Sequence, residues 1–417
     1  MSYAVKRGGS AVAYCALSIR CGTRDEAAYP DGRRDRSGYH SGIAHFTEHT
    51  LFKGTTRRTA SSISGYLDRL GGELNAYTTK EEIVIHATVL KEDLRKAIGL
   101  LMDIAFRCIL PEKEIEKERG VILEEISSYR DSPSEQIYDD FEEAVFEGTP
   151  LSMPVLGKSK YLKKLDRETV WRYYRERFRS ENMYFTAVAD IEESRAVEMV
   201  SKALAQYSPE GGNCLKYGTE HDCGTPDRYL LPLNPPFSRT VQRHSHQAHC
   251  ILGARACSAY DSRRIPLSLL INILGGPVAN SRLNLTLRER YGLVYSADAS
   301  YSLYSDAGIA AIYFGCEKTN VSRCLELIDK ELRTLRETPL SPRALNSAKK
   351  QLLGQMAIAS DNGEAQVLSM GKSLMTYGRV ISNAETADLI CGITAEDLRC
   401  TAAEVFNPEN MSRLLYI

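Results

Sequence analysis

Apolar residues recur along the chain with two periods, about 3.6 residues for helices and two residues for strands, and these periods predict its elements. In the first half they predict helices around residue 43 and at 61–70, strands near 74–77 and 83–90, and long helices at 93–108 and 112–129. In the second half they predict helices near 266–274 and 281–290, strands at 294–304 and 309–316, and long helices at 321–337 and 342–360. Both halves therefore present the same order of elements.

The repeated order indicates an internal duplication. Aligning ILPEKEIEKERGVILEEI with PLSPRALNSAKKQLLGQM pairs Leu110 with Leu340 and superimposes the apolar residues Ile122 and Leu352. Strands that are adjacent in sequence, with helices in pairs, favour an antiparallel α+β sandwich over a parallel βαβ sheet. The predicted fold class is α+β, with two homologous domains that each contain an antiparallel sheet packed with helices.

The chain of 417 residues is too long for one ordinary hydrophobic core. The segment 208–238 is rich in Gly and Pro and lacks a sustained helical period, so it is typical of a linker between domains. We therefore predict a first domain at 1–210, a linker at 211–240 and a homologous second domain at 241–417.

Charge and composition exclude several classes of partner. The 53 basic and 54 acidic residues nearly cancel, so no overall field attracts nucleic acid or an anionic membrane. No window approaches the roughly 18 apolar residues of a membrane span, and the first apolar run is too short for a secretory signal. Eleven cysteines without a CxxC pair indicate reduced thiols. We expect a cytoplasmic protein.

The stretch HSGIAHFTEHTLFKGT, residues 40–55, places three histidines and a glutamate within ten positions. If it is helical from about residue 42, His45 and His49 lie one turn apart on the same face, where both imidazoles can reach one ion. Glu48 can then reach the ion's bound water without ligating, as in a zinc hydrolase. His40 stands in a turn-rich segment before the helix and is predicted to be a surface residue. This pattern favours metal binding over coincidence.

A catalytic zinc ion normally takes three protein ligands, so a third ligand must come from elsewhere. In the helix EKEIEKERGVILEEISSYR, Glu118 and Glu125 are seven residues apart and share a face, whereas Glu124 points about 100° away. One of the aligned pair can ligate while the other supports a histidine. The rival cluster HSHQAH, residues 244–249, lacks a nearby acidic ligand and is interpreted as structural.

The two halves differ in polar groups. The alignment pairs Glu118 with Ala348 and Glu125 with Gln355, and the second half has no HxxEH sequence. This difference is typical of a catalytic domain joined to a supporting domain, so we predict that 1–210 is the catalytic zinc-binding domain and 241–417 the noncatalytic one.

These motifs resemble the pitrilysin or insulinase-type zinc peptidases, the inverzincins, whose HxxEH reverses the HExxH motif. The resemblance covers nearly the whole chain and includes CGTRDE, GIAHFTEHTLFKGT, GGELNAYTTKE, ERGVILEEI and SRLNLTLRERYGLVYS. It is nearest to the two-domain subgroup that includes mitochondrial processing peptidase and its bacterial relatives. Two departures are a longer connection over 26–41 and Thr47, where the family usually has a large apolar residue.

The resemblance also implies roles for individual residues. It implies one zinc ion per chain, bound by His45, His49 and Glu125, with Glu48 as general base and Glu118 as a supporting glutamate. It further implies that an edge strand pairs with the substrate backbone and that a helix in the second half helps to hold substrate and steady the oxyanion. The matching residues are Asn75 and Ala76 in the strand, and Arg288 and Tyr295 in RERYGLVY.

The function that the resemblance implies is a zinc-dependent endopeptidase that hydrolyses short or unfolded peptides in an enclosed chamber. The two domains would be halves of a clamshell, and the opposing half would be a second copy of the chain or a homologous partner chain. The alternative is a noncatalytic scaffold or processing-partner subunit of the same fold. The complete set of ligands, base and Arg/Tyr pair in one chain favours the enzyme.

Overall fold

The computed structural model describes residues 1–26, 39–207, 216–217, 234–243, 245–277 and 279–417. The helices are α1 Ile43–Leu51, α2 Ala60–Asp68, α3 Leu94–Arg107, α4 Glu112–Arg130, α5 Pro133–Val145, α6 Ser159–Leu162, α7 Arg167–Arg177, α8 Glu193–Ala205, α9 Arg264–Gly275, α10 Val321–Glu337, α11 Pro342–Ala359, α12 Gly363–Tyr377, α13 Asn383–Gly392 and α14 Ala395–Val405. The strands are β1 Ser2–Arg7, β2 Val12–Ile19, β3 Glu73–Thr78, β4 Ile83–Leu90, β5 Met183–Ala189, β6 Lys216–Tyr217, β7 Ser238–Val241, β8 Ala248–Ala256, β9 Val294–Leu303, β10 Gly308–Cys316 and β11 Ser412–Tyr416.

The elements predicted from periodicity are confirmed, with small shifts at their ends. The strand at 83–90 and the helix at 321–337 have the predicted bounds. The helix predicted at 281–290 is a π-helix over Asn284–Arg290, a helix type that is frequent at functional sites.

Two sheets carry the internal repeat. The first has the strand order β3-β4-β2-β5-β1-β6, and the second has the order β9-β10-β8-β11-β7 when it is written in the matching direction. In both sheets the first four strands pair antiparallel, and the next strand, β1 or β7, pairs parallel to β5 or β11. The same strand order in both sheets confirms the duplication and the α+β class.

The chain forms two units, one at 1–127, 153–225 and 358–381 and the other at 128–152, 226–357 and 382–417. Each unit therefore includes a helix from the other half of the sequence. In the first unit α12 packs on β2 and β5, through residues such as Val367 and Leu374. In the second unit α5 packs on β8 and β11, through residues such as Ile137 and Phe141. The repeats have exchanged equivalent helices.

The predicted domain bounds follow chain order, whereas these units exchange segments. Most of the predicted linker at 211–240 lies outside the described residues, so the bounds 1–210 and 241–417 stay a prediction. Among the described residues, no helix is long and apolar enough to cross a membrane. The nine cysteines in the described part of the chain are free thiols.

The core of the first unit fixes the helix that carries the HxxEH residues. On α1 the side chains of Ile43, Phe46 and Leu51 are fully buried in the core of the first unit, where α1 contacts α7, β3 and β4. Burial of these three apolar side chains stabilises the helix and prevents it from rotating. The face that bears His45 and His49 is thereby held in one direction.

Candidate metal centre

The helix α1 presents His45 and His49 side by side. Their rings are 4.6 Å apart between centroids and inclined by 72°. His45 is buried, and its burial, followed by the charge of His49, lowers its pKa to about 3. His45 is therefore neutral at physiological pH, which is the protonation state that a metal ligand requires.

The carboxylate of Glu125, on α4, faces both imidazoles. Its Oε2 atom lies 3.9 Å from His45 Nε2 and 3.7 Å from His49 Nε2. One ligand atom from each of the three residues can be chosen so that all lie within 4.8 Å of one another. Two imidazole nitrogens and one carboxylate oxygen form a donor set suited to zinc, with a fourth position left for water or substrate. The three residues therefore fit a catalytic metal ion.

Glu118 orients one of these imidazoles. Its Oε2 atom lies 3.1 Å from His49 Nδ1, and its Oε1 atom accepts a bond of 2.7 Å from Lys53 Nζ. If Nδ1 carries the proton and donates it to Glu118, the lone pair of His49 is on Nε2, on the side of Glu125. Glu118 thus has the contact expected of a residue that supports a histidine ligand. Lys53 holds the other oxygen of the same carboxylate.

Glu48 lies buried on the same helix. Its Oε2 atom accepts a hydrogen bond of 2.5 Å from the Thr78 hydroxyl. Burial raises the pKa of Glu48, and the charge of Glu125 acts in the same direction, while Thr78 and His49 oppose the rise. A carboxylate with a raised pKa accepts and returns a proton near neutral pH more readily than an exposed one.

The strand β3, which contains Asn75 and Ala76, lies at the edge of the first sheet. Its inner edge pairs with β4, where Asn75 is opposite His86 and Ala76 is opposite Ile85. Since Thr78 belongs to the same strand, the edge strand and the Glu48 carboxylate are joined by one hydrogen bond. The other edge of β3 is not paired within the described sheet.

Arg288 and Tyr295 belong to the second unit. Arg288 lies in the π-helix, and its guanidinium carbon is 5.8 Å from the centre of the Tyr295 ring. The Tyr295 side chain is 84% exposed. The structure brings these two residues together on the surface of their own unit.

The counterpart of Glu125 in the second unit is an amide. Gln355 accepts a hydrogen bond of 2.7 Å from the Asn272 side chain, and Gln351 donates one of 3.1 Å to the same asparagine. A neutral amide, Gln355, thus occupies the position aligned with the Glu125 carboxylate, and it contacts another amide. In the part of the second unit that the structure describes, no group of three His, Cys, Asp or Glu side chains could hold a metal ion.

The sequence did not reveal the contacts of Lys53 and Thr78, and it predicted His40 to be exposed and the HSHQAH cluster to be structural. Lys53 and Thr78 were not predicted to contact the glutamates, although Lys53 follows His49 by four residues. His40 is exposed and stacks on Tyr161, as a surface residue would. In HSHQAH, His249 lies 2.8 Å from the Tyr313 hydroxyl through Nδ1. His244 lies outside the described residues.

Comparison with known proteins identifies the family. The profile described as "Insulinase (Peptidase family M16)" matches residues 4–159, and the profile "Peptidase M16 inactive domain" matches residues 164–352. A protein of Streptomyces coelicolor named an uncharacterized zinc protease is 31% identical over 90% of this chain and 80% of its own length. A Bacillus subtilis protein, also named an uncharacterized zinc protease, is 28% identical over 91% of this chain and 89% of its own. The chain belongs to peptidase family M16.

Solved structures agree with this fold. A protease from Helicobacter pylori has a TM-score of 0.87 at 18% identity, covering 100% of this chain and 96% of its own. A putative M16-like peptidase from Alicyclobacillus acidocaldarius has a TM-score of 0.79 at 20% identity, covering 98% of this chain and 93% of its own. At these identities the likeness concerns the fold alone.

Proposed function

We propose that the protein is a zinc-dependent endopeptidase that hydrolyses short or unfolded peptides. The observation that carries the proposal is the convergence of His45 Nε2 and His49 Nε2 on the same oxygen of Glu125. The M16 family and the relatives named zinc proteases support zinc as the metal. His45, His49 and Glu125 would hold one ion per chain.

Glu48 is the proposed general base. When bound, zinc supplies a Lewis acid that polarises a peptide carbonyl and makes water more acidic. Glu48 takes the proton from the attacking water and delivers it to the leaving amine, so its oxygen must be fixed near the reacting atoms. The Thr78 hydroxyl fixes one Glu48 oxygen and leaves the other for this transfer. Glu118 keeps the His49 ring in place throughout.

Extended peptides are the proposed substrates. An exposed edge strand such as β3 can add a peptide through main-chain hydrogen bonds, which tolerate many side chains. Asn75 and Ala76 would supply those bonds, and Thr78 ties the same strand to Glu48. A peptide that must become a strand has to be short or unfolded, so folded proteins are excluded.

The proposed active form is a homodimer that encloses a chamber. Each chain supplies one set of metal ligands, while Arg288 and Tyr295 would come from the partner subunit and steady the oxyanion. A noncatalytic scaffold is the other role known for this fold, but the ligands and Glu48 are all retained in this chain. Catalysis therefore explains more of the residues than scaffolding does.

The direct test is cleavage of a mixed pool of peptides, followed by mass spectrometry. Zinc-loaded protein should produce internal fragments, and a chelator should abolish them. Glu48→Gln should bind zinc as the wild type does and lose about 10²-fold or more in kcat, because only proton transfer is removed. Intact peptides with zinc-loaded wild type would refute the endopeptidase, and near-normal turnover by Glu48→Gln would refute its role as base.

A further inference from the structure

The helix with the candidate metal ligands cannot cap its own N-terminus. Gly42, the residue immediately before α1, has a φ of 100°, in the left-handed region that favours glycine. A Cβ atom there would lie 2.9 Å from the Leu162 side chain and 3.0 Å from the Gly157 backbone. Glycine is therefore required at this position, and it offers no side chain to accept the free N–H groups at the start of the helix.

A glutamate from outside the HxxEH motif accepts those N–H groups. The Gly42 N–H donates to Glu26 Oε2 at 2.9 Å, and the Ala44 N–H donates to Glu26 Oε1 at 2.8 Å. The intervening Ile43 N–H donates to the His40 carbonyl at 3.3 Å. The two oxygens of Glu26 thus do what a capping Ser or Asp does in most helices.

The position of Glu26 is costly unless these bonds are made. Its side chain is completely buried, and a buried carboxylate without partners is strongly unfavourable. Burial raises the pKa of Glu26 to about 8, and the N–H groups of Ala44 and Gly42, with the positive end of the α1 dipole, oppose that rise. The buried carboxyl group of Glu26 is therefore placed where it can accept the free N–H groups at the start of α1.

The segment before Glu26 connects α1 to the edge strand. Glu26 follows a short 3-10 helix, Thr23–Asp25, whose Thr23 N–H donates to the Thr79 carbonyl at 3.2 Å. The next N–H, of Arg24, donates to the Lys80 carbonyl at 3.0 Å. Thr79 and Lys80 form the turn that follows β3. Glu26 therefore links the start of α1 to the hairpin that carries Thr78.

We infer that Glu26 is a positioning residue of the metal centre: it caps α1 and fixes the first turn, so that His45 faces Glu125. His45 directly follows Ala44, and the Ala44 N–H donates a hydrogen bond to Glu26. If this first turn frayed, His45 would leave its position while His49, one turn further along, would stay. The inference rests on the proposed zinc function, and it adds a residue that neither touches the ion nor belongs to HxxEH.

The test compares Glu26→Gln with Glu82→Gln, which changes another buried carboxylate of the first unit that makes no bond to α1. Glutamine at 26 keeps the volume but turns an N–H₂ group toward backbone donors. In metal-free protein, Glu26→Gln should speed hydrogen exchange at residues 42–46 about tenfold or more, without a matching change in the rest of the unit. Its zinc affinity should fall about tenfold, and saturating zinc should restore kcat.

The two readouts separate the inference from the function on which it rests. A cap that merely stabilises the fold would change exchange throughout the unit and leave the zinc affinity of the folded protein unchanged, which would overturn the inference. Equal protection of residues 42–46 in Glu26→Gln and wild type would also overturn it. If wild type binds no zinc, the proposed function and the role of Glu26 in metal binding both fail, while the exchange data still decide whether Glu26 caps α1.

Discussion

At the scale of single residues, the candidate metal centre depends on which atom each side chain presents. Both histidines direct Nε2 toward one oxygen of Glu125, and Glu118 contacts His49 at the opposite nitrogen. Glu118 in turn is held by Lys53 through its second oxygen. The grouping is therefore a chain of contacts in which each polar side chain limits the rotation of the next.

Glu82, a buried carboxylate away from the candidate metal ligands, makes the stability of the folded chain depend on pH. Burial raises the pKa of Glu82 to about 7, with a smaller contribution from Glu81 and an opposing one from Lys372. The folded protein then keeps a proton that the unfolded chain releases near pH 4.5, so this stabilisation is present at low pH and is lost as pH rises through 7.

We compare the free energy of unfolding of wild type with that of Glu82→Gln, both in metal-free protein. From pH 5 to pH 8 the wild type should lose about 2–3 kcal/mol relative to the variant, since the amide does not ionise. Urea titrations at several pH values measure this directly. A difference that does not change with pH would show that Glu82 titrates normally in the folded state.

Much of the candidate site was predictable at this scale because it follows from spacing within helices. His45 with His49, and Glu118 with Glu125, are fixed on common faces by the helical period alone. Thr78 and Glu26 could not be found this way, because their contacts arise only when a strand or a 3-10 helix packs against α1. The roles of all these residues stay predictions.

At the scale of elements, periodicity predicted the repeated helices and strands but not the exchange of α5 and α12 between units. Both helices have an apolar face, and either sheet offers an apolar surface to cover. Which sheet each helix covers depends on how closely the two surfaces can approach. At Gly371 of α12, for example, a Cβ atom would lie 2.7 Å from the buried Ser18 hydroxyl of β2. Such contacts are not encoded in a hydrophobic period.

This close approach leads to a prediction about glycines in helices. Gly371→Leu should lower the free energy of unfolding by about 2–3 kcal/mol, because the added side chain separates α12 from β2. The matched control is Gly354→Leu on α11, where a Cβ atom meets nothing within 4 Å and leucine should stabilise the helix. Equal effects of the two substitutions in chemical denaturation would show that α12 does not need the close contact.

At the scale of the whole molecule, one repeat has the candidate metal ligands, and the other has an amide at the position aligned with Glu125. Gln355, which is aligned with Glu125, accepts a hydrogen bond from Asn272, whereas Glu125 faces two histidines. Under the proposed function the duplicated fold divides its roles, with one unit for the metal and the other for substrate contacts through Arg288 and Tyr295. The proposed homodimer would bring both roles to each active site.

The shared-site proposal predicts recovery of activity in mixed dimers. Glu48→Gln and Arg288→Ala homodimers should each be nearly inactive. In a hybrid, one site carries both defects and the other carries neither. If half of the dimers become hybrids, about a quarter of wild-type activity should return.

Activity is measured after subunit exchange has been verified, for example by mass spectrometry of differently tagged chains. No recovery would mean that Arg288 acts within its own chain or not at all. That result would overturn the shared site and leave the metal chemistry of the first unit standing.

The most direct test of the central proposal is the zinc content per chain of wild type, His49→Ala and His40→Ala. His49 is part of the candidate donor set, whereas His40 is exposed and lies just before the same helix. Metal analysis of dialysed, zinc-loaded protein should give one zinc ion per chain in wild type and His40→Ala and none in His49→Ala. One zinc ion retained by His49→Ala would contradict the account.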